Sequence, residues 1–115
     1  MIDFEGDLGF TQRVLDAVAV RYRVIQHNLA NENTPGFKRY YVTFEDELRK
    51  AAAAGEELSQ VRPIVHRDTS GPPGQNNVSS MEELALLQKI ELMNELFSRR
   101  AGGYFAHINK AIYGN

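Results

Sequence analysis

Chemistry on this chain would have to come from three histidines, two runs of carboxylates, a few paired glycines or one basic-aromatic cluster. A metal-binding helix needs a second ligand one turn from the first, because residues i and i+4 share a face. His27 has Arg23 and Asn31 at those positions, His107 has Gly103 one turn before it, and His66 lies in a stretch that reads as extended. No zincin-like spacing results, and the expected catalytic, cofactor-binding and metal sites are none. Glu45, Asp46 and Glu47, and again Glu82 and Glu83, stand at predicted helix starts, where negative charge complements the helix dipole. An acid/base pair would need a pocket that raises one pKa, and adjacent positions on a helix point in different directions. Gly71, Gly74, Gly102 and Gly103 do not follow a strand and open a helix with the lysine or glycine spacing of a phosphate loop. Lys38 and Arg39 interleave with Phe37, Tyr40 and Tyr41, a pattern that can serve single-stranded nucleic acid. The run is short and acidic residues follow it, which fits a protein partner surface better.

Composition narrows the classes further. The chain has 115 residues, suited to one domain or one elongated helical unit, with 13 Lys and Arg against 15 Asp and Glu and a net charge of −2. That balance offers no general field for a nucleic-acid backbone. The absence of cysteine removes disulfides, thiolate metal sites and cysteine nucleophiles. The acidic start Met1-Ile2-Asp3-Phe4-Glu5-Gly6-Asp7 has no basic region, and no apolar run reaches a membrane span. Neither a cleaved secretory signal nor direct membrane insertion is expected.

The apolar residues that remain are concentrated at the two ends. Leu8, Leu15, Val18, Tyr22, Ile25 and Leu29 recur at spacings that form one stripe on a helix over 8–31. Asp7 or Thr11 can cap its start, and Asn31-Glu32-Asn33-Thr34-Pro35-Gly36 stops it, because proline disfavours helical geometry in the residue before it. Phe10, Ala17, Val20 and Val24 form a second stripe on the same helix, which one partner helix cannot also cover. In the last third, Leu86, Ile90, Met93, Phe97, Ala101, Tyr104, Ile108 and Ile112 repeat over 11 residues, about 3.67 per turn, so the stripe can run straight down one long helix. Ser79 or Ser80 can cap it, with Glu82 or Glu83 completing a capping box, and Gly102-Gly103 forms a soft point in phase with the stripe. Between the ends, Thr43 can cap a short helix from Phe44 to Ala54 stopped by Gly55, and Leu58 to Arg67 reads as extended, limited by Pro63 to an edge strand or loop. The turn-rich stretch from Asp68 to Asn77 has a composition that buries little and orders on binding.

The segment Asn28-Leu29-Ala30-Asn31-Glu32-Asn33-Thr34-Pro35-Gly36-Phe37-Lys38 strongly resembles the N-terminal signature of the flagellar basal-body rod and hook protein family. In that family a first helix runs into an Asn-aliphatic-small-Asn, then Thr-Pro-Gly-aromatic turn. The short length, the approach Gly74-Gln75-Asn76-Asn77-Val78 and the closing Ala111-Ile112-Tyr113-Gly114 are most like proximal rod subunits. The resemblance covers both ends, while 40–73 match weakly. It implies a structural subunit of the proximal rod, exported by the flagellar type III apparatus without a cleaved signal peptide and polymerising in the periplasm. Its partners would be other rod subunits, the ring-rod adaptor and the membrane-ring proteins, in a homo- and hetero-polymer whose terminal helices form a coiled-coil layer around the export channel. A soluble helical adaptor or export-linked chaperone is the alternative that amphipathic helices without a catalytic motif also allow.

The expected fold class is mainly α, with elongated N- and C-terminal helices paired as a coiled coil: 1–36 as the first helix and its turn, 37–78 as a small irregular middle, and 79–115 as the second helix. The expected helix-pair and assembly residues are Leu15, Val18, Tyr22, Ile25 and Leu29 against Leu86, Ile90, Met93, Phe97, Tyr104 and Ile108. The signature turn is Asn28, Asn31, Thr34, Pro35, Gly36 and Phe37. Burying a large apolar side chain is worth roughly 1.5–3 kcal/mol and ordering a residue costs about 1–2 kcal/mol, so a lone helix pair is marginal and assembly should supply the missing burial.

Overall fold

The computed structural model describes the backbone of 4–99 and side chains within 9–95. Helix α1 (Phe4–Ala30) is followed by strand β1 (Tyr40–Thr43), helix α2 (Glu45–Ala53), a 3-10 turn (Leu58–Gln60), strand β2 (Ile64–Arg67) and helix α3 (Ser80–Arg99). The fold is mainly helical with a small two-stranded sheet. Its extents are 50 × 31 × 22 Å and its radius of gyration is 15.8 Å, against about 13 Å for a compact chain of this size.

α1 spans 27 residues, about 40 Å at 1.5 Å per residue. It begins before both expected caps, so Asp7 and Thr11 lie inside it. Its stop is the expected one. The last carbonyls of a helix lack intrahelical donors; here the Asn31 and Glu32 amides bond back to Asn28 and Leu29 at 3.0 and 3.2 Å. The Asn31 side-chain amide donates to the His27 carbonyl at 2.9 Å. Thr34 precedes proline, and Gly36 then takes φ +74°, a left-handed conformation that glycine adopts at little cost. α2 ends as its sequence reads: Gly55 at φ +72° lets the Glu56 amide reach the Ala51 carbonyl at 2.8 Å. At α3, Ser79 is the capping residue, its hydroxyl accepting from the Glu82 amide at 3.3 Å.

The middle is not irregular. β1 and β2 pair antiparallel with Tyr40 opposite Arg67, Tyr41 opposite His66, Val42 opposite Val65 and Thr43 opposite Ile64. Phe44 and Leu48, both from this middle segment, are fully buried against Val14 and Ala17 of α1, with Phe10, Ala52, Leu58, Val61 and Met93 packed around them. Alanine-rich α2 supplies this core because its Leu48, Ala51 and Ala52 share the face that continues from Phe44, the residue just before it. Thr43 does not cap α2 through the backbone; its hydroxyl bonds Glu47 and His66 at 2.8 Å each. On α1, Gly9 lets the 3-10 turn approach: a Cβ there would lie 2.8 Å from the Ser59 Cβ.

α3 packs along α1 antiparallel, with Glu83 beside Asn28 at one end and Met93 beside the Val14–Ala17 region at the other. The face of α1 that turns inward is Val14, Ala17, Ile25 and Asn28, which at about 100° per residue lies between the two expected stripes. Both stripes are therefore shoulders of the buried face. The Phe10–Ala17 shoulder is covered by the middle segment. The other is open at Leu15 and Tyr22, 40% and 39% exposed.

Candidate functional site

The signature turn is held by side chains from three distant segments. Asn28 is fully buried at the end of α1 and reads the backbone of β1 twice: its amide donates to the Tyr40 carbonyl at 2.8 Å and its oxygen accepts from the Tyr40 amide at 2.9 Å. Asparagine alone among uncharged residues of this size presents a donor and an acceptor side by side, as a second β-strand would. Its amide also donates to Glu83 at 3.2 Å. Glu83 is fully buried and accepts from Arg39 Nε at 2.6 Å, while Arg39 reaches Asp68 at 3.3 Å.

Asn76 and Asn77 close the arrangement from the loop before α3. The Asn76 amide donates to the Asn31 and Thr34 carbonyls at 2.8 and 2.7 Å. Asn77 accepts from the Arg39 amide at 2.6 Å and donates to the Asp68 carbonyl at 2.7 Å. Thr34 donates to Asn31 at 3.0 Å, and Gly36 lies under Gly74, whose carbonyl would sit 3.5 Å from any Cβ added there. Phe37 packs edge-on to His27 and Tyr40 with ring centroids 5.6 and 6.1 Å away, and the Arg67 guanidinium lies 4.6 Å over the Tyr40 ring. Pro35 is exposed at the tip. The stretch 68–77 is therefore pinned within the molecule instead of waiting for a partner. Lys38 and Arg39 are also used internally, Lys38 donating to the Pro72 carbonyl at 2.8 Å.

The expected helix-pair residues divide. Ile25 and Ile90 are buried, Val18, Leu29 and Met93 half-buried, and Leu15, Tyr22 and Leu86 exposed. The side chain of Phe97, with Tyr104 and Ile108, lies outside the described residues. α1 and α3 do not close on each other along their length: a cavity of about 350 Å³ opens between them, floored by Ile25, Leu86, Ile90 and Met93. Sequence periodicity missed a further apolar flank on α3, where Met81, Leu84 and Leu92 are 83%, 48% and 56% exposed. Their three- and eight-residue spacing was the available signal, masked by the stronger 11-residue stripe.

Glu45 lies beside this cavity and pairs with Arg21, whose Nη1 donates at 3.0 Å. Burial pushes its carboxyl up, but the hydrogen bonds and charge of Arg21, the amide at its own helix start and the charge of Lys89 hold it below the ordinary 4.5. A folded-state pKa below the unfolded one adds stability that is fully present above about pH 4.5 and is lost as pH falls through the folded value. Glu45→Gln should therefore flatten the acid limb of urea stability measured from pH 5 downward; an unchanged slope would show that the pair adds nothing. Among the described residues no three His, Asp or Glu side chains are placed to hold a metal ion, and no helix is long and apolar enough to cross a membrane.

A relative in Borreliella burgdorferi, named flagellar basal body rod protein FlgB, is 32% identical over 132 aligned positions covering 95% of this chain and 97% of the relative. The chain belongs to the FlgB family of flagellar basal body rod proteins. A second FlgB, from Borrelia hermsii, is 48% identical over 84 residues, 73% of this chain and 56% of the relative. The Escherichia coli FlgB is 32% identical over 76 residues, 65% and 55% of the two chains. No family model and no solved structure matches. For a FlgB family member, the Asn28–Phe37 segment acquires a structural meaning: it is where the first helix ends and the chain is tied to the start of α3.

Proposed function

We propose that this chain is a structural, non-enzymatic subunit of the proximal flagellar rod, polymerising through its terminal helices into part of the motor shaft and the wall of the export channel. The reading is supported above all by apolar flanks that one copy leaves uncovered: Leu15 and Tyr22 on α1, and Met81, Leu84, Leu86 and Leu92 on α3. Single exposed apolar residues are ordinary, but two helices each carrying several offer a neighbour something to bury. In the polymer, 1–36 and 79–115 would pair with the same segments of adjacent subunits as a coiled coil, and 37–78 would brace them. Its partners would be other rod subunits, the ring-rod adaptor and the membrane-ring proteins, met in the periplasm after export in unfolded form.

The test must spare the subunit while removing the flank. Ile25→Asp would not do this, because Ile25 is buried and an unpaired charge there would unfold the monomer itself. Leu15→Asp combined with Leu92→Asp changes only exposed positions, so the purified chain should keep its circular dichroism and its unfolding midpoint to within about 0.5 kcal/mol. Cells carrying only this variant should build no rod and should not swim. Normal motility would overturn the proposal, and sedimentation stopping at a small closed complex would mark an adaptor instead.

A further inference from the structure

The cavity between α1 and α3 has a charged character that its apolar floor does not explain. Four cations line it, Arg21, Arg39, Arg49 and Lys89, against one carboxylate, Glu45. The acids that pair with Arg39 and Arg49, namely Glu83, Asp68 and Asp46, do not line the cavity. The site thus presents a greasy floor under a cationic rim, with Lys89 and Arg49 exposed at its mouth. It suits an occupant that alternates apolar and acidic side chains.

The chain itself contains such a segment. Its first twelve residues carry Asp3, Glu5 and Asp7 and no base, interleaved with Ile2, Phe4 and Leu8. We infer that the acidic, apolar N-terminal segment of a second copy docks in the cavity between α1 and α3, its carboxylates against Lys89 and Arg49 and its apolar side chains on the floor. The occupant cannot be the molecule's own N-terminus. α1 runs unbroken from Phe4 to Ala30, so Phe4 stands about 25–30 Å along the axis from the cavity wall at Arg21 and Val24. The contact is therefore heterologous, one patch meeting a different patch, the kind that propagates subunit to subunit. It names the first contact of the assembly proposed above and rests on that reading only in requiring that copies meet. A cavity of this volume accepts one aromatic and a smaller aliphatic side chain, within the range of small recognition pockets.

The native chain has no cysteine, which makes site-directed cross-linking clean. Full-length Glu5→Cys and Lys89→Cys variants, mixed under mild oxidation, should give a disulfide dimer well above the level that either gives alone. Independently, Lys89→Glu should weaken self-association about tenfold by sedimentation, and adding Asp3→Lys and Glu5→Lys to it should restore the original strength. No mixed dimer, or a Lys89→Glu defect that the reversed N-terminus does not rescue, overturns the inference; the second result would place a different acidic partner in the cavity. The two readings fail separately. Cross-linking that persists while the Leu15/Leu92 variant swims normally would sink assembly through those exposed flanks and leave this contact standing, and rod assembly without the cross-link would do the reverse.

Discussion

Glu83→Ala should lower the unfolding free energy by about 3 kcal/mol, measured as a shift of the urea midpoint at constant slope. Glu83 is fully buried where α3 starts, accepting from Arg39 at 2.6 Å and from Asn28 at 3.2 Å. Removing it leaves the Arg39 guanidinium mostly buried with only the more distant Asp68, 3.3 Å away. Breaking a buried pair from one side typically costs about 3–5 kcal/mol, because the remaining charge has lost its compensation. Arg39's second partner and partial access to water place the effect at the lower end. Asn28 loses an acceptor as well, and through it the tie between α1 and β1 loosens. Glu83→Gln removes the charge and keeps an oxygen for only one of the two donors, because Arg39 and Asn28 bond different carboxylate oxygens, and should cost about 1–2 kcal/mol. If Glu83→Gln cost nothing while Glu83→Ala cost about 3 kcal/mol, charge would not be what holds this junction. A double-mutant cycle with Arg39→Met separates the pair from the rest of the network.

Phe44→Ala is expected to take away a large share of the folding free energy. Among the described residues Phe44 is the largest fully buried side chain, packed with Leu48 against Val14 and Ala17. Large-to-small substitutions of this kind cost about 3–5 kcal/mol, transfer and cavity together, and small domains hold only about 5–15 kcal/mol in all. The three helices meet here and nowhere else with comparable burial among the described residues, so the cavity has little prospect of collapsing. Phe44→Leu, closer in volume, should cost less than about 1.5 kcal/mol and retain a cooperative transition. An Ala variant that melted within a degree or two of the parent would mean that α2 is a dispensable ornament on the α1–α3 pair. A variant that lost helix signal throughout would show that the middle segment holds the terminal helices together.

Several parts of this structure were open to local reading. Residues from Asn31 to Gly36 stop a helix for reasons contained within the segment: a proline, an asparagine that bonds back, a glycine at φ +74°. Gly55 and Ser79 are equally self-contained. Other features were hidden because their partners lie far away in the chain. Tyr40–Thr43 has the aromatic and β-branched content of a strand, but four residues form one only because Ile64–Arg67 lies alongside. Glu83 read as a helix-start charge, which it also is; its burial depends on Arg39, 44 positions earlier. Asn28 was legible as part of a motif and not as the residue that reads the edge of β1.

The apolar periodicity of α1 carries the same lesson most sharply. Two stripes were visible on the helix, and the face that turned inward lies between them, at Val14, Ala17, Ile25 and Asn28. Periodicity establishes that a helix forms and that its apolar surface exceeds what one neighbour covers, since both follow from side-chain spacing along a single element. Which flank meets α2, which meets α3 and which is left for another molecule is settled by the volume of Phe44 and Leu48 and by the buried polar tie at the far end. Those are energies of contact between segments, and a one-dimensional pattern carries no term for them.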